Sequence, residues 1–325
     1  MCYSAQVYAD YKKYCRMFGA TMSVEEFYRA FWMRDNEPKA RIKIPKAVEL
    51  SFSTPTTEDE QRIKALIDRH NDTEALRIEQ ELFKQRTRLV AAERVLAGPR
   101  PTKKAGEDQR IATDKIAKAQ RGLADLRRTD VHPRDERIFP GTYCPVLVVE
   151  NGELVVMPMR YHCRPHGKPA FYDEKYPGCY NARRDNLEGP MWRDVFGYSH
   201  GLIIADKFFE HVKRHKYEHR PLGDGEEEED MILEFKPDGL EEMYVACIWS
   251  RWQAPGQSDL LSFAAVTDEP PPEVEAAGHD RCIIPLKREN IDAWLHPERC
   301  DRAALYAILD DRERPYYEHR LAMAA

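Results

Sequence analysis

The chain has 325 residues, 42% hydrophobic and 33% charged, with a formal net charge of -6. That composition is globular, with enough apolar residues for a sizeable core, and it excludes disordered and collagen-like classes. The apolar runs fall short of the ~18 residues that a membrane-spanning helix needs, and the acidic balance excludes a histone-like polycation. Any nucleic-acid site must therefore be a local basic patch.

Met1 to Ala5 lack a basic region followed by an apolar stretch, so no secretory signal is expected. Eight cysteines, at positions 2, 15, 144, 163, 179, 247, 282 and 300, include no CxxC pair. They are expected to be reduced thiols in a cytoplasmic protein.

In chain order, the first fifty residues predict two helical pieces. Ser23 and Glu26 have capping-box spacing, and Val24, Phe27, Tyr28, Phe31 and Trp32 recur on one helix face. A core-facing amphipathic helix is the expected result.

Residues 57–130 change character. Ile63, Leu66, Ile67, Leu82, Leu89 and Leu96 repeat at helical spacing among many charges. Gly98, Pro99 and Pro101 break the pattern, and Ile111, Ile116, Leu123 and Leu126 resume it. Two charged helices around a Pro/Gly turn predict an antiparallel helical hairpin. A solvated structural insertion and a partner-binding or DNA-gripping arm are both open readings of it.

Beyond Pro133 the signals are those of strands. Residues 144–150 and 153–157 flank Asn151-Gly152, an Asn-Gly hairpin turn. Residues 231–235 and 243–249 flank Pro237, Asp238 and Gly239 as a second hairpin candidate, and residues 260–266 and 282–286 are further apolar runs. The acidic stretch 225–230 reads as a solvated loop. Short strands with few helices between them predict an α+β fold with an antiparallel, barrel-like β core, surrounding helices and the inserted helical hairpin.

Four places could carry chemistry. Removal of Met1 would leave Cys2 with an α-amine and a thiol on adjacent carbons. Their ordinary pKa values are about 7.7–8.0 and about 8.5, so both nucleophilic forms are accessible near neutrality. Such a 1,2-aminothiol can trap an aldehyde as a thiazolidine, or act as an N-terminal nucleophile on an amide. On position alone, a buried structural cysteine is the commoner case. Asn181, Ala182, Arg183 and Arg184 combine a carbonyl-orienting amide with phosphate-binding guanidinium groups, and could equally be an ordinary polar loop. Glu210 follows Phe208 and Phe209 at the end of an apolar run. Apolar surroundings would suit it to proton transfer, whereas a strand-end glutamate in solvent is the plainer alternative. His279, Asp280 and Arg281 pair a proton-shuttling imidazole with a phosphate-binding group. His162, Cys163, His166 and Cys179 match no common zinc spacing, so neither metal nor cofactor is expected. Nucleotide-fold and serine-hydrolase signatures do not occur.

Taken in this order, the pieces resemble the SRAP family, the SOS response-associated peptidases or abasic-site processing proteins. The matching residues are Met1-Cys2, Pro140-Gly141 before the first long strand, Asn181-Ala182-Arg183, Ala205-Asp206 with Phe208 to Glu210, and His279-Asp280-Arg281. Trp249 and Trp252 resemble the family's Trp-rich strand, and Asp292 to Leu295 its closing helix. The chain departs from the family pattern in several places. Tyr3-Ser4 replaces Gly-Arg, Asp185 a glutamate, Lys207 a glycine and His211 a tryptophan, and Tyr161 to Pro165 take the place of a Trp-Gly-x-x-Pro segment. The hairpin at 57–130 lies outside the pattern and reads as an insertion within a single SRAP domain spanning 1–325.

The resemblance implies a protein that captures abasic sites in single-stranded DNA. Cys2 would supply amine and thiol, Asn181 would position the reacting groups, and Glu210 would handle protons. His279 would assist sugar-ring opening or reversal, while Arg183, Arg281 and Pro140 would contact the DNA. It also implies cytoplasmic, nucleoid-associated work in a bacterium, in the SOS and repair context. Tyr161 or His162 could stack on an exposed base or pack as a strand residue. Two alternatives use the same sequence: a thiol autopeptidase or N-terminal-nucleophile amidohydrolase, and a non-catalytic interaction protein whose helical hairpin recruits a partner.

Overall fold

A computed structural model describes residues 4–37 and 40–322. The chain divides into two compact units, Pro55–Asp130 and the remainder.

In the larger unit, β1 (Ser4–Val7), α1 (Tyr11–Phe18), β2 (Thr21–Met22), α2 (Val24–Asn36) and α3 (Lys46–Leu50) form the N-terminal part. Asp10 caps α1 by accepting from Lys12 N–H, and Gly19 ends it with φ +66°. On α2, Phe27 and Phe31 are buried against Phe52 as their spacing predicts, whereas Trp32 is exposed. The predicted capping box does not form. Ser23 is the N-cap residue without a side-chain cap bond, and Glu26 is engaged by Arg251 at 2.7 Å and Arg29 at 3.1 Å. An ion pair with two arginines outcompetes a neutral capping bond.

The smaller unit is α4 (Glu58–Leu96) and α5 (Lys103–Arg127). Thr57 and Thr102 cap them, accepting from Glu60 and Ala105 N–H. Ala105, Ala112 and Ala119, seven residues apart, are the buried positions of α5. Small side chains at that interval let one helix approach another closely, and the two helices are laced by Arg88–Asp108 and Arg127–Glu79. Sequence periodicity of large apolar residues did not reveal this alanine seam.

The chain then forms β3 (Arg137–Ile138), β4 (Tyr143–Glu150), β5 (Glu153–Tyr161), α6 (Tyr172–Lys175), β6 (Asn181–Arg183), β7 (His200–Lys213), α7 (Arg214–Tyr217) and β8 (Asp230–Pro237). β9 (Met243–Trp252), β10 (Leu260–Asp268), α8 (Pro272–Ala276), β11 (Cys282–Ile283), β12 (Pro285–Leu286), α9 (Ile291–Leu295), α10 (Arg302–Asp310) and β13 (Tyr317–Leu321) complete it. Among the described residues these strands make one mixed sheet that closes on itself, in the order β9, β10, β5, β4, β7 and back to β9. The fold is the expected mixture of helices and a β core closed into a ring. Its pairing is not purely antiparallel, because β10 runs parallel to β5 and β6, and β2 runs parallel to β5.

The Asn151-Gly152 hairpin forms with both turn residues at positive φ, 53° and 81°, and joins β4 to β5 over eight paired positions. The second expected hairpin does not form. β8 and β9 both exist, but they pair with different parts of β7, β9 with residues 200–205 and β8 with residues 208–213. At fourteen residues, β7 is long enough to serve both partners, and β1 and β4 as well. No helix among the described residues is long and apolar enough to cross a membrane.

Ala112 is fully buried, so Ala112→Leu should overpack the seam. We expect α4 and α5 amides to lose about 1–3 kcal/mol of hydrogen-exchange protection. Unchanged protection would show that the seam is loosely packed.

Candidate active site

The site is built on β7. Side chains alternate across a strand, and Phe208, Glu210 and Val212 share one face, with Phe208 and Val212 in the core cluster. Glu210 is therefore drawn inward and is fully buried, in mid-strand rather than at a solvated end. β8 covers it, with Leu233 directly opposite.

His279 reaches it from the turn after α8. Gly278 there has φ +94°, and a Cβ on it would lie 2.8 Å from Val212 Cγ1. Only glycine permits both that backbone conformation and so close an approach to β7. His279 N–H then donates to Val274 O at 3.2 Å, and its Nε2 lies 3.2 Å from Glu210 Oε2.

The second ring nitrogen fixes the chemistry. His279 Nδ1 lies 2.9 Å from Arg281 O. A carbonyl oxygen only accepts, so Nδ1 carries a hydrogen and donates it. Nε2 facing a carboxyl oxygen then requires one proton between them, resting on either partner. Burial pushes the imidazole pKa down to about 4. At neutral pH the ring is therefore uncharged, and its Nε2 faces the buried carboxyl group of Glu210.

A second histidine shows the same logic without that proton. His200 Nδ1 donates to Trp294 O at 2.9 Å, and its Nε2 accepts from Gly197 N–H at 2.8 Å. Both nitrogens are satisfied in the neutral ring, and burial lowers its pKa to about 3. His200 is thus a packing residue.

Asn181 opens β6 and is buried beside β10, opposite Ala265. Tyr161 Oη donates to its Oδ1 at 3.3 Å, which fixes the orientation of the amide. Tyr161 is almost fully buried, stacked on Phe263 and edge-on to Tyr180. It is therefore not a base-stacking platform, and its role toward Asn181 was not legible as a sequence motif.

Arg183, two residues on, holds Asp185 through two hydrogen bonds at 2.9 and 2.7 Å. Arg281 lies 3.7 Å from Asp280, within ion-pair range and beyond hydrogen-bond reach. Pro140 sits in the turn between β3 and β4, where Gly141 has φ +91° and donates to Tyr161 O.

Cys2 lies outside the described residues. The first described residue, Ser4, is fully buried on β1 and pairs with Phe209, the neighbour of Glu210. Arg137 on β3 donates to Ser4 Oγ from Nε at 3.1 Å and from Nη2 at 3.0 Å. Sequence reading noted Ser4 only as a departure from the family pattern and passed over Arg137. The only cue was Arg137's place two residues before Phe139-Pro140. Among the described residues no group of three or more His, Cys, Asp or Glu is arranged to hold a metal ion.

The account of His279 predicts that its ring nitrogen Nε2 is unprotonated at pH 7 and that the ring titrates near pH 4. Nitrogen-15 NMR across pH 3–8 measures both. A midpoint at or above the ordinary 6.5 would contradict it.

Comparison with known proteins adds three findings. No curated protein matches the chain. Among solved structures, a protein from Bacteroides thetaiotaomicron is similar at 14% identity and TM-score 0.46, covering 57% of this chain and 77% of its own. A protein from Bordetella bronchiseptica is similar at 15% identity and TM-score 0.45, covering 58% of this chain and 88% of its own. A phage-related protein from the same organism is similar at 18% identity and TM-score 0.43, covering 58% and 81%. The family profile "SOS response associated peptidase (SRAP)" matches residues 107–323, a span that holds Asn181, Glu210 and His279 and begins beyond Cys2. Matched over well over half its length, this chain belongs to the SRAP family.

Proposed function

We propose that the chain captures abasic sites in single-stranded DNA by closing a thiazolidine between Cys2 and the sugar C1′. Family membership supplies the DNA-damage context. The observation that carries the specific reading is the buried Glu210–His279 contact at 3.2 Å, formed by residues far apart in sequence. Glu210 lies on β7, the strand that pairs with β1. Two peptide units, at most roughly 7 Å of chain, separate Cys2 from Ser4, and Ser4 is paired with Phe209 next to Glu210.

The chemistry needs what that contact holds. With Met1 removed, the Cys2 amine adds to the C1′ aldehyde of the ring-opened sugar and forms a carbinolamine. Loss of water requires a proton on the departing oxygen, and Glu210 supplies it. The Cys2 thiolate then adds to the imine carbon, and the nitrogen takes up a proton as the five-membered ring closes. One aldehyde and one aminothiol give one thiazolidine and one water. In this scheme the proton that the nitrogen loses on forming the imine returns to Glu210, while His279 Nε2 faces the carboxyl group and His279 assists opening of the sugar ring. Asn181, oriented by Tyr161, holds a sugar hydroxyl, while Arg183, Arg281 and Pro140 contact the strand on either side of the lesion.

The family's description as a peptidase favours a second use of the same groups, in which the Cys2 site cleaves the bond to Met1. Intact mass of Glu210→Gln tests it. Retention of Met1 only in that variant supports self-processing.

For the main reading, a labelled single-stranded oligonucleotide with one abasic site should give a heat-stable, slower band on a denaturing gel. Cys2→Ala should abolish the band. Glu210→Gln keeps a donor toward His279 but cannot release a proton, and should slow the reaction about 10²–10⁴-fold. An equal band from Cys2→Ala would refute the reading.

A further inference from the structure

We infer that Arg137 is a positioning residue for the Cys2 nucleophile. This rests on the function proposed above. Among the described residues β1 pairs with β3 at Ala5 opposite Ile138 and Gln6 opposite Arg137. Phe139 N–H donates to Thr142 Oγ1, and the Arg137 side chain reaches Ser4 from the β3 side. Its Nε and Nη2 converge on Ser4 Oγ at 3.1 and 3.0 Å. Its guanidinium lies 3.7 Å from the centre of the Phe209 ring and 5.0 Å from that of Phe139.

One planar group therefore ties the start of β1 to the strand residue that precedes Glu210. A guanidinium can do this because its N–H groups form a rigid fork and its face stacks on aromatic rings. A lysine offers neither. Arg137 brings its guanidinium to Ser4 from the neighbouring strand. Fixing Ser4 restricts where a reactive group two residues away can travel relative to Glu210. Misplacement by about 1 Å at a reacting centre can cost on the order of 100-fold in rate.

The test is single-turnover crosslinking to the abasic oligonucleotide across a range of DNA concentrations. The proteins compared are wild type, Arg137→Gln, Arg137→Lys, Ser4→Ala, the Arg137→Gln/Ser4→Ala pair and the Ser4→Arg/Arg137→Ser pair. We expect each single variant to lose about 10- to 100-fold in the maximal rate, with the half-saturating DNA concentration unchanged. The Arg137→Gln/Ser4→Ala pair should be no slower than either single variant, since both break one contact. Ser4→Arg/Arg137→Ser should recover most of the rate, because it keeps one guanidinium and one hydroxyl at the same two positions. Ser4→Ala removes a single hydroxyl and decides the matter should Arg137→Gln fold poorly. Unchanged maximal rates in Arg137→Gln and Ser4→Ala overturn the inference while the Cys2 reading stands. A change confined to half-saturation also overturns it, since Arg137 would then be a DNA contact. If wild type gives no Cys2-dependent band, the function proposed above fails, and this inference fails with it.

Discussion

The buried contact between Glu210 and His279 is the constraint on which the rest of this candidate site depends. A charged carboxylate with no exposure to water is expensive, and so is a buried imidazolium. The carbonyl of Arg281 claims Nδ1 and leaves Nε2 to face the carboxyl group. The surrounding fold is arranged for that outcome. β7 turns Glu210 inward between Phe208 and Val212, and Gly278 lets the next residue approach to contact distance. Both features are dictated locally, by strand alternation and by the lack of a side chain.

The same strand explains how the sheet closes. β7 pairs with β1, β4, β8 and β9 along its fourteen residues, so the carboxyl group is fixed from several directions at once. For the proton-donor role proposed for Glu210, such a setting would leave little reorganisation energy to spend in aligning it.

Much of this was legible in the sequence where the signal was local. The Asn151-Gly152 turn carries its own backbone preference, and Phe27 and Phe31 announce a buried helix face by their spacing. Glu210 and His279 could be singled out by residue type and family resemblance, although their contact spans two distant segments and no periodicity encodes it. Signals failed where partners were non-local. β8 and β9 look like a hairpin across Pro237 to Gly239, yet each finds a better partner in β7. The capping box at Ser23 loses to arginines, one of them on β9. The Ala105, Ala112 and Ala119 seam hid because a search for large apolar residues overlooks alanine. Arg137 and Tyr161 act on Ser4 and Asn181 through side-chain geometry that only the assembled sheet creates.

In the function proposed for this chain, the amino-terminal aminothiol of Cys2 is the group that joins the DNA. Tandem mass spectrometry of the protein after reaction with abasic DNA and complete nuclease digestion measures it directly. The expected product is a peptide that begins at Cys2 and carries the sugar remnant on that residue, with one water lost. An adduct on a lysine, or a modified peptide that still begins at Met1, would contradict it.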